Sequence, residues 1–383
     1  MNLLKVGFVS ATLSLVVLSA CGGGGSKGPA KVKPTPTPSA TPEASPEPTT
    51  EPSPSPEATK PEPPKPTPVT PEGLAARAKE CFDLAMAKNF DAYKDCYTAD
   101  AVETTADDDE PPRSSSEAII DSRKRIFGAV PDAAHTLPLL LVSGNDAVHV
   151  IFVTGTHSQA MQTPMGELPA TGKKIGFGFA YVGTAVDGIK FSAGRQYIDP
   201  GTVMGQLGIS KAPHRAAAEP PAMADIVISA GNEAEAKNLA AFKAGQDAFF
   251  KKDWKTLGAL YDKNSVFSDA PLPADIKGDK KILAHFKELH TAFPDVNGEV
   301  GKTWAAGDYV VAELTFKGTN KGAWKSAGIK KPTGKAIEIH ALEIFKFKDG
   351  KVTNHWIFDN GMAMAMQLGL VPPMGAPPAA PSK

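Results

Sequence analysis

An aspartate and a histidine lie four residues apart near the end of the chain, in the stretch His355-Trp356-Ile357-Phe358-Asp359. Residues of equal parity in a strand point to the same face, so we expect the His355 and Asp359 side chains to point the same way. A carboxylate that loses solvation at an apolar pocket becomes a better base. It could then take a proton from a carbon next to a carbonyl group. These residue types are therefore compatible with acid–base chemistry at Asp359, with His355 beside it.

Asp359 also has a structural interpretation. It lies where a strand is expected to end and a helix to begin, and aspartate is a good helix N-cap. The same holds for Asp199, which precedes Pro200, a residue typical of the first helical position. Both acids precede a Gln-Leu-Gly stretch, so we interpret Asp199 as the first-half counterpart of Asp359. The sequence leaves catalysis and capping open at both positions.

The two acids belong to an internal repeat. Pro131-Asp132 matches Pro294-Asp295, and GTHSQAM matches GTNKGAW, in the same order and about 160 residues apart. The first copy lacks a His-Trp pair, so we expect it to be degenerate. The repeat predicts two domains at residues 73–210 and 233–370, a linker at 211–232 and a Pro/Ala-rich tail at 371–383.

The second copy has the pattern of helices followed by a sheet. Apolar residues recur at helical spacing from Glu233 to Lys252, and apolar and polar residues alternate from Val310 to Lys317. Asp349-Gly350 is typical of a hairpin turn, which makes Val352 to Phe358 the returning strand. Helices first and antiparallel strands afterwards predict an α+β domain with helices on one face of the sheet.

The second copy also resembles a known family. Its blocks AFPD, GTNKGAW, PTGK and IFKFKDGKVTNHW, followed by Asp359 and QLGL, are similar to those of the SnoaL-like polyketide cyclases. These belong to the nuclear transport factor 2-like, or ketosteroid-isomerase-like, superfamily. The resemblance implies two tandem cone-shaped domains, each a curved, mostly antiparallel sheet wrapped by N-terminal helices around an apolar pocket. It also implies that Asp359 is the acid/base of a cyclase or isomerase that requires no metal or cofactor.

Further residues are candidates for the ligand pocket of the second copy. The alternation of the long strand breaks near Ala341–Ile344, so a β-bulge there could turn His340 or Glu343 inward. The predicted pocket residues are Trp324, His340, Glu343, Trp356 and Met366.

Composition and spacing restrict the ligands. The formal net charge of −1 over 383 residues gives no reason to expect a nucleic-acid partner. His285 and His290 are five residues apart on a predicted helix, so they do not share a face and a metal site is not expected. We expect an apolar small molecule as the ligand. Three functions remain open: binding alone, proton-transfer catalysis, or a structural unit whose domains pair sheet to sheet as an intramolecular pseudo-dimer.

The N-terminus has the pattern of a targeting signal. An apolar run from Val6 to Leu18 suits a signal-peptide core and is short for a membrane span. It ends in Leu18-Ser19-Ala20-Cys21, which resembles a bacterial lipobox and implies acylation of Cys21. Gly22 follows the cysteine, which points to the outer membrane, so we predict a lipid-anchored protein of the bacterial cell envelope. The predicted segments are a signal peptide at 1–20 and a Pro/Thr/Glu-rich tether at 21–72.

Two further cysteines, Cys81 and Cys96, are predicted to lie on two short helices that turn at Asn89. An exported compartment permits a disulfide between them. Two small buried thiols would explain the pair equally well. The sequence leaves both interpretations open.

Overall fold

The structure is a computed structural model that describes residues 70–108, 110–163, 166–186, 189–221 and 226–371. These residues form two six-stranded, mostly antiparallel sheets with helices, one sheet in each half of the chain. The predicted α+β class with two tandem domains is thereby confirmed. The predicted signal peptide, Cys21, the tether up to residue 69 and the tail beyond residue 371 lie outside the described residues. Within the described ranges, no helix is long and apolar enough to cross a membrane.

The first domain begins with helices. Thr70 caps the first helix by accepting a hydrogen bond from the Gly73 amide, and Pro71 takes the first helical position. A disulfide joins Cys81 in the first helix to Cys96. Cys96 lies in the turn between the second helix and the first strand, so its predicted position on a helix is wrong. The elements are α1 (Pro71–Met86), α2 (Phe90–Lys94), β1 (Tyr97–Thr105), α3 (Ser116–Ala129), β2 (Ala134–Ser143), β3 (Asp146–Thr156), β4 (Met161–Thr163), β5 (Gly166–Leu168), β6 (Lys174–Val186), β7 (Lys190–Tyr197) and α4 (Pro200–Gln206).

The second domain repeats this order after a connecting segment. That segment contains β8 (Ile226–Ile228), which joins the first sheet beside β2. The predicted helix from Glu233 and the returning strand from Val352 are both present. The elements are α5 (Glu233–Lys251), α6 (Trp254–Ala259), β9 (Val266–Asp269), β10 (Ile276–Lys277), α7 (Asp279–Ala292), β11 (Asn297–Ala306), β12 (Tyr309–Thr319), a 3-10 turn (Lys325–Ala327), β13 (Ala336–Lys348), β14 (Lys351–Phe358) and α8 (Gly361–Gln367).

One parallel pair in each sheet brings two strand ends together. The first sheet has the order β1-β7-β6-β3-β2-β8, and the second has the order β10-β9-β14-β13-β12-β11. β9 pairs with β14 in parallel, and Asp269 at the end of β9 lies opposite Ile357. The carboxyl ends of parallel strands meet at the same edge of a sheet, so the residues after β14 lie close to Asp269.

Each sheet of the pair is buried on both faces. On its inner face the second sheet packs against α5 and α7, through side chains such as Phe242, Ile282 and Phe345. Its outer face shares one apolar cluster with the first sheet, and this cluster is called the shared cluster below. The shared cluster includes Leu139, Leu141 and Val182 of the first sheet and Trp304, Leu342 and Ile344 of the second.

Candidate functional site

The second domain encloses a cavity of about 110 Å³ between its helices and the inner face of its sheet. Aromatic rings form much of the wall: Phe242, Phe267, Phe286, Phe316, Trp324 and Phe345. Polar side chains also reach it: Gln246, Tyr261, Asp269, His285, Glu343, His355 and Asp359. An apolar pocket with a few converging polar groups is the usual form of a small-molecule site.

Strand periodicity decides which residues face this cavity. Every second residue of β13 from Ile339 to Phe347 lines the wall. The ladders to both neighbouring strands are regular at Leu342 to Ile344, so the bulge that the sequence allowed is absent from this strand segment. The alternation is hidden in the sequence because the opposite face carries Leu342 and Ile344, which are buried in the shared cluster.

Two predicted pocket residues lie on that opposite face, so the prediction is wrong for both. Trp356 packs against the shared cluster. His340 bonds to Asp107 of the first domain, with 2.7 Å between Nδ1 and Oδ1. Trp356 and His340 have even numbers, and the neighbouring odd-numbered residues of their strands face the cavity. When both faces of a strand are buried, a polar or aromatic residue type does not show on which face the side chain lies.

The other pocket candidates divide. Glu343 and Trp324 line the cavity wall. Met366 does not line it, and Met364 on the same helix does. Residues two apart on a helix point to nearly opposite sides, so only one of the two methionines faces the cavity. The pocket position predicted for Met366 is therefore wrong.

Asp359 does not cap α8. The helix begins at Gly361, and its N-cap is Asn360, whose Oδ1 accepts a hydrogen bond from the Ala363 amide at 2.9 Å. The capping interpretation of Asp359 is wrong because the next residue performs that role. Asp359 is only 7% exposed and lies in the cavity wall instead.

A second carboxyl, that of Asp269, lies beside Asp359, and the sequence interpretation missed it. The two carboxyls interact electrostatically, and the Oδ1 atom of each is buried without a hydrogen-bond partner among the described residues. Two carboxylates carry no donor, so the groups can bond to each other only when one of them is protonated. We call Asp269 and Asp359 the acid pair. The available sequence signal was that Asp269 shares parity with Phe267 at the end of a short strand.

Both carboxyls of the acid pair have a raised pKa. Burial holds the pKa of Asp359 well above its usual range, and the adjacent charge of Asp269 raises it further. Burial also raises the pKa of Asp269 to about 7, although the nearby charge of Arg215 lowers it. Both carboxyls therefore hold a proton more tightly than a free aspartate does, and the protonation of one affects that of the other. Such a pair can either accept or donate a proton.

His355 belongs to a second polar chain in the wall. Its Nδ1 lies 3.0 Å from the Tyr261 hydroxyl, and its Nε2 lies 3.7 Å from Glu343 Oε1. The Gln246 amide donates to Glu343 Oε2 at 2.6 Å. Phe345 stacks on the imidazole with 3.9 Å between ring centroids. These contacts hold the His355 ring in one orientation beside the acid pair.

Three buried nitrogens at the cavity have no hydrogen-bond partner within the described part of the chain: Trp324 Nε1, His285 Nδ1 and His355 Nε2. Burial lowers the pKa of His285 to about 4, so its imidazole is neutral at pH 7. The indole N–H of Trp324 can only donate. An unpaired buried polar group costs about 1–3 kcal/mol. These nitrogens are therefore the atoms that an oxygen of a bound molecule would satisfy.

Over the described ranges, no three His, Cys, Asp or Glu side chains are grouped so that they could hold a metal ion. The cavity carries carboxyls and imidazoles within a wall that is largely aromatic. The arrangement is suited to proton transfer within an apolar pocket.

The equivalence of Asp199 and Asp359 is wrong by one residue. Asp199 is the N-cap of α4 and accepts bonds from two main-chain amides, so its equivalent is the cap Asn360. Ile198 then stands at the position of Asp359. β1 pairs with β7 as β9 pairs with β14, which places Thr105 at the position of Asp269. In its described residues, the first domain thus has no acid pair.

An ion network fills the interior of the first domain. Glu103 is fully buried and bonds to Arg113, Arg123 and Gln196. In the second domain, apolar residues occupy the positions of Glu103, Arg113 and Arg123. They are Phe267 and Ile276, matched through the strand pairings, and Phe286, matched through the helices α3 and α7. The two interiors therefore have opposite chemistry, and the cavity described here belongs to the second.

Comparison with known proteins identifies relatives of both halves. The protein-family model described as SnoaL-like polyketide cyclase matches residues 74–207 and 240–368. The fold is similar to that of AclR from Streptomyces galilaeus, with 24% identity, 36% of this chain and 99% of that chain covered, and a TM-score of 0.32. IdmH from Streptomyces antibioticus is similar at 22% identity, with 34% and 98% covered and a TM-score of 0.30. No curated protein matches the chain significantly.

Proposed function

Because the chain belongs to the SnoaL-like polyketide cyclase family, whose model matches both of its halves, we propose that the second domain binds an apolar molecule with a carbonyl group and transfers a proton between two atoms of that molecule. One observation carries the proposal, namely that two neighbouring buried carboxyls with raised pKa values line an apolar cavity. Perturbed titrating groups in a cleft are typical of catalytic sites. A pair that holds one proton can act as base and as acid in one turnover.

The proposed reaction is an isomerisation or a cyclisation through an enolate. The ionised carboxylate takes a proton from the carbon next to the carbonyl. The C–H electron pair becomes the C=C bond of the enolate, and the carbonyl π pair moves onto the oxygen. For isomerisation, the proton returns to another carbon. For cyclisation, the enolate carbon bonds to a second carbonyl carbon, and the proton neutralises the new alkoxide. Electrons and protons balance in both cases, so neither route needs a redox partner.

Two groups at the cavity suit the oxygen of such a substrate. The Trp324 indole N–H and the His355 Nε2 are both buried without a partner. A preorganised donor in a water-poor site stabilises developing negative charge on an oxygen. In this proposal Trp324 stabilises the enolate oxygen and His355 binds a second polar group, while the acid pair handles the proton.

The volume of the cavity restricts the ligand. An apolar protein cavity of about 150 Å³ accommodates one benzene ring. A volume of about 110 Å³ therefore suits a ligand portion of about one small ring. A longer ligand requires the walls to move outward.

The second candidate function is binding without turnover, which needs only the aromatic wall. A proton-exchange test with a single-ring ketone distinguishes the two. We expect the protein to accelerate deuterium uptake next to the carbonyl of cyclohexanone in D₂O, measured by proton NMR. Asp269→Asn or Asp359→Asn is expected to reduce this rate by about 100-fold or more. If both folded variants exchange as fast as the parent, the acid–base proposal fails and binding alone remains.

A matched control is Asp253→Asn. Asp253 is the exposed N-cap of α6, and Asn caps a helix about as well as Asp. Its replacement changes the same functional group outside the cavity. The exchange rate is expected to stay at the parent value.

We further propose a location for the protein. The lipobox-like stretch that ends at Cys21 supports acylation of that cysteine. Proline-rich chains are extended and semi-rigid, so the segment after Cys21 suits a spacer between a membrane and the first domain. The proposed location is the bacterial outer membrane, with the protein held by its N-terminal lipid.

The two domains are also proposed to work as an intramolecular pseudo-dimer. The shared cluster supports this pairing, as do hydrogen bonds between the domains. The Tyr197 hydroxyl donates to Glu313 at 2.7 Å, and the Trp304 indole donates to Asp146 at 2.8 Å. Buried aromatic residues with satisfied polar atoms are typical of stable interfaces.

A further inference from the structure

Arg215, in the connecting segment, lies against the acid pair. Its Nε and Nη2 donate to the main-chain oxygen of Asp269 at 3.2 and 3.0 Å. Its Nη1 donates to Asp275 Oδ1 at 2.8 Å. A guanidinium does not lose its charge in a protein. A permanent positive charge is therefore fastened beside Asp269, one member of the acid pair.

The first domain holds Arg215 in place. The Gln206 side-chain amide donates to the Arg215 main-chain oxygen at 3.1 Å. The same amide group accepts from the Gly176 amide at 2.9 Å and donates to the Gly176 carbonyl at 3.0 Å. A continuous set of hydrogen bonds thus runs from β6 through Gln206 and Arg215 to Asp269.

Other bonds from the first domain reach the residue that follows each acid. The Thr202 hydroxyl donates to the Ala270 carbonyl at 3.3 Å. The Asn360 side chain donates to the Asp107 carbonyl at 3.0 Å. The segments that carry both members of the acid pair are therefore fastened to a domain whose own interior is filled.

The charges that act on the acid pair make Arg215 important. Several acids face the pair from different elements: Asp199 from α4, Asp107 from the loop after β1 and Glu343 from β13. Asp275, the ion-pair partner of Arg215, comes from the loop before β10. Each of these negative charges favours protonation of the carboxyl it acts on, whereas Arg215 favours ionisation of Asp269. Without the guanidinium, the ionised, basic form of Asp269 would be less favourable.

We propose that Arg215 is a positioning residue for the acid pair, through which the first domain keeps one of the two carboxyls ionised and correctly placed. This inference rests on the proposed acid–base function of the second domain. It assigns the first domain a role in that function although it has no acid pair in its described residues. The first domain acts as a built-in supporting subunit.

The test is a pH titration of the acid pair in the full chain. It is monitored by NMR of aspartate carboxyl carbons labelled with ¹³C. Arg215→Gln is expected to raise the pKa of the pair by roughly one unit or more, because a nearby cation lowers a carboxyl pKa by about that amount. Arg215→Lys keeps the charge and is expected to restore most of the parent titration. A purely structural role would predict no rescue of the titration by lysine.

Arg77 provides a matched control. It also donates to main-chain oxygens, those of Ile189 and Asp95, and pairs with a carboxylate, that of Glu80. The side-chain exposures of the two arginines are similar, 18% for Arg77 and 27% for Arg215. Arg77→Gln is expected to leave the titration of the acid pair unchanged.

The outcomes separate this inference from the proposed function. A folded Arg215→Gln variant with the parent titration would overturn the role of Arg215. If that variant does not fold, Asp275→Asn gives the answer, because it removes the partner of the guanidinium and is expected to lower the pKa of the pair. An unchanged titration there would also overturn the inference. The titration needs no substrate, so a failure of cyclohexanone exchange does not change its result.

Discussion

At the scale of single residues, the site depends on which residue caps a helix. In the first domain the cap is the acid itself, Asp199. In the second domain Asn360 caps α8 and leaves Asp359 to the cavity. Relative to the start of the following helix, Asp359 therefore lies one position earlier than Asp199. This difference separates a structural acid, Asp199, from a candidate catalytic acid, Asp359.

The assignment of the cap leads to a stability prediction. Asn360→Ala should lower the free energy of unfolding by about 1 kcal/mol, because the Ala363 amide loses its acceptor. Asp359→Asn should cause no comparable loss, since Asp359 caps nothing. Urea denaturation followed by circular dichroism measures both values. A loss in Asp359→Asn that equals the loss in Asn360→Ala would contradict the assignment.

The raised pKa values of the acid pair predict a pH dependence of stability. An unfolded aspartate titrates near 3.9, whereas the pKa of Asp269 in the folded protein is about 7. The folded state thus binds more protons between these values, so the contribution is complete below about pH 4 and is lost as pH rises through 7. We expect the parent to lose on the order of 3 kcal/mol over this window relative to a variant carrying Asp269→Asn and Asp359→Asn. Parallel urea series from pH 4 to pH 8 provide the comparison, and two parallel curves would show that the pair is not perturbed.

At the scale of elements, the same strands and helices enclose two different interiors. A parallel pair closes each sheet, β1 with β7 and β9 with β14. In the first domain this framework surrounds the buried Glu103 and its two arginines, and in the second it surrounds aromatic rings and a cavity. The framework is set by apolar periodicity, whereas the content of the interior is set by a few individual side chains.

The ion network predicts a large effect of a single substitution. Glu103→Ala should destabilise the protein by about 3–5 kcal/mol, because it removes the buried carboxylate that two largely buried guanidinium groups share. The combination of Glu103→Phe, Arg113→Ile and Arg123→Phe installs the side chains of the second domain and should recover much of that loss. Thermal and urea denaturation measure the difference. A triple variant less stable than Glu103→Ala would argue against the equivalence of the two interiors.

At the scale of the whole molecule, the domains meet over the outer faces of their sheets. The first domain contacts the second through the shared cluster, and hydrogen bonds from Arg215 and Thr202 reach Asp269 and Ala270. The proposed supporting role of the first domain depends on these contacts.

The proposed anchor leads to a prediction for the intact chain. In a bacterial host, the protein should incorporate labelled palmitate, and Cys21→Ala should not. The Cys21→Ala variant is expected in the soluble fraction instead of the membrane fraction, since no other lipid attachment is proposed. Cys81 and Cys96 are held in a disulfide, which makes them unsuited as alternative acylation sites. A parent protein without label would end the proposal of a lipid anchor.

The sequence by itself determined the duplication, the α+β class and the order of helices and strands, because these follow from local periodicity, turn residues and repeated blocks. The repeated phrase before Gln-Leu-Gly and the family resemblance identified Asp359, and parity along one strand placed His355 on the same face. Only the tertiary structure decided that Asp269 joins Asp359, because the parallel pairing of β9 and β14 brings together residues 90 positions apart. It also placed Trp356 and His340 on the outer face, since contact with the first domain buries both faces of the strands and hides the alternation. The charge of Arg215 at the acid pair likewise depends on long-range contacts, which no local pattern records.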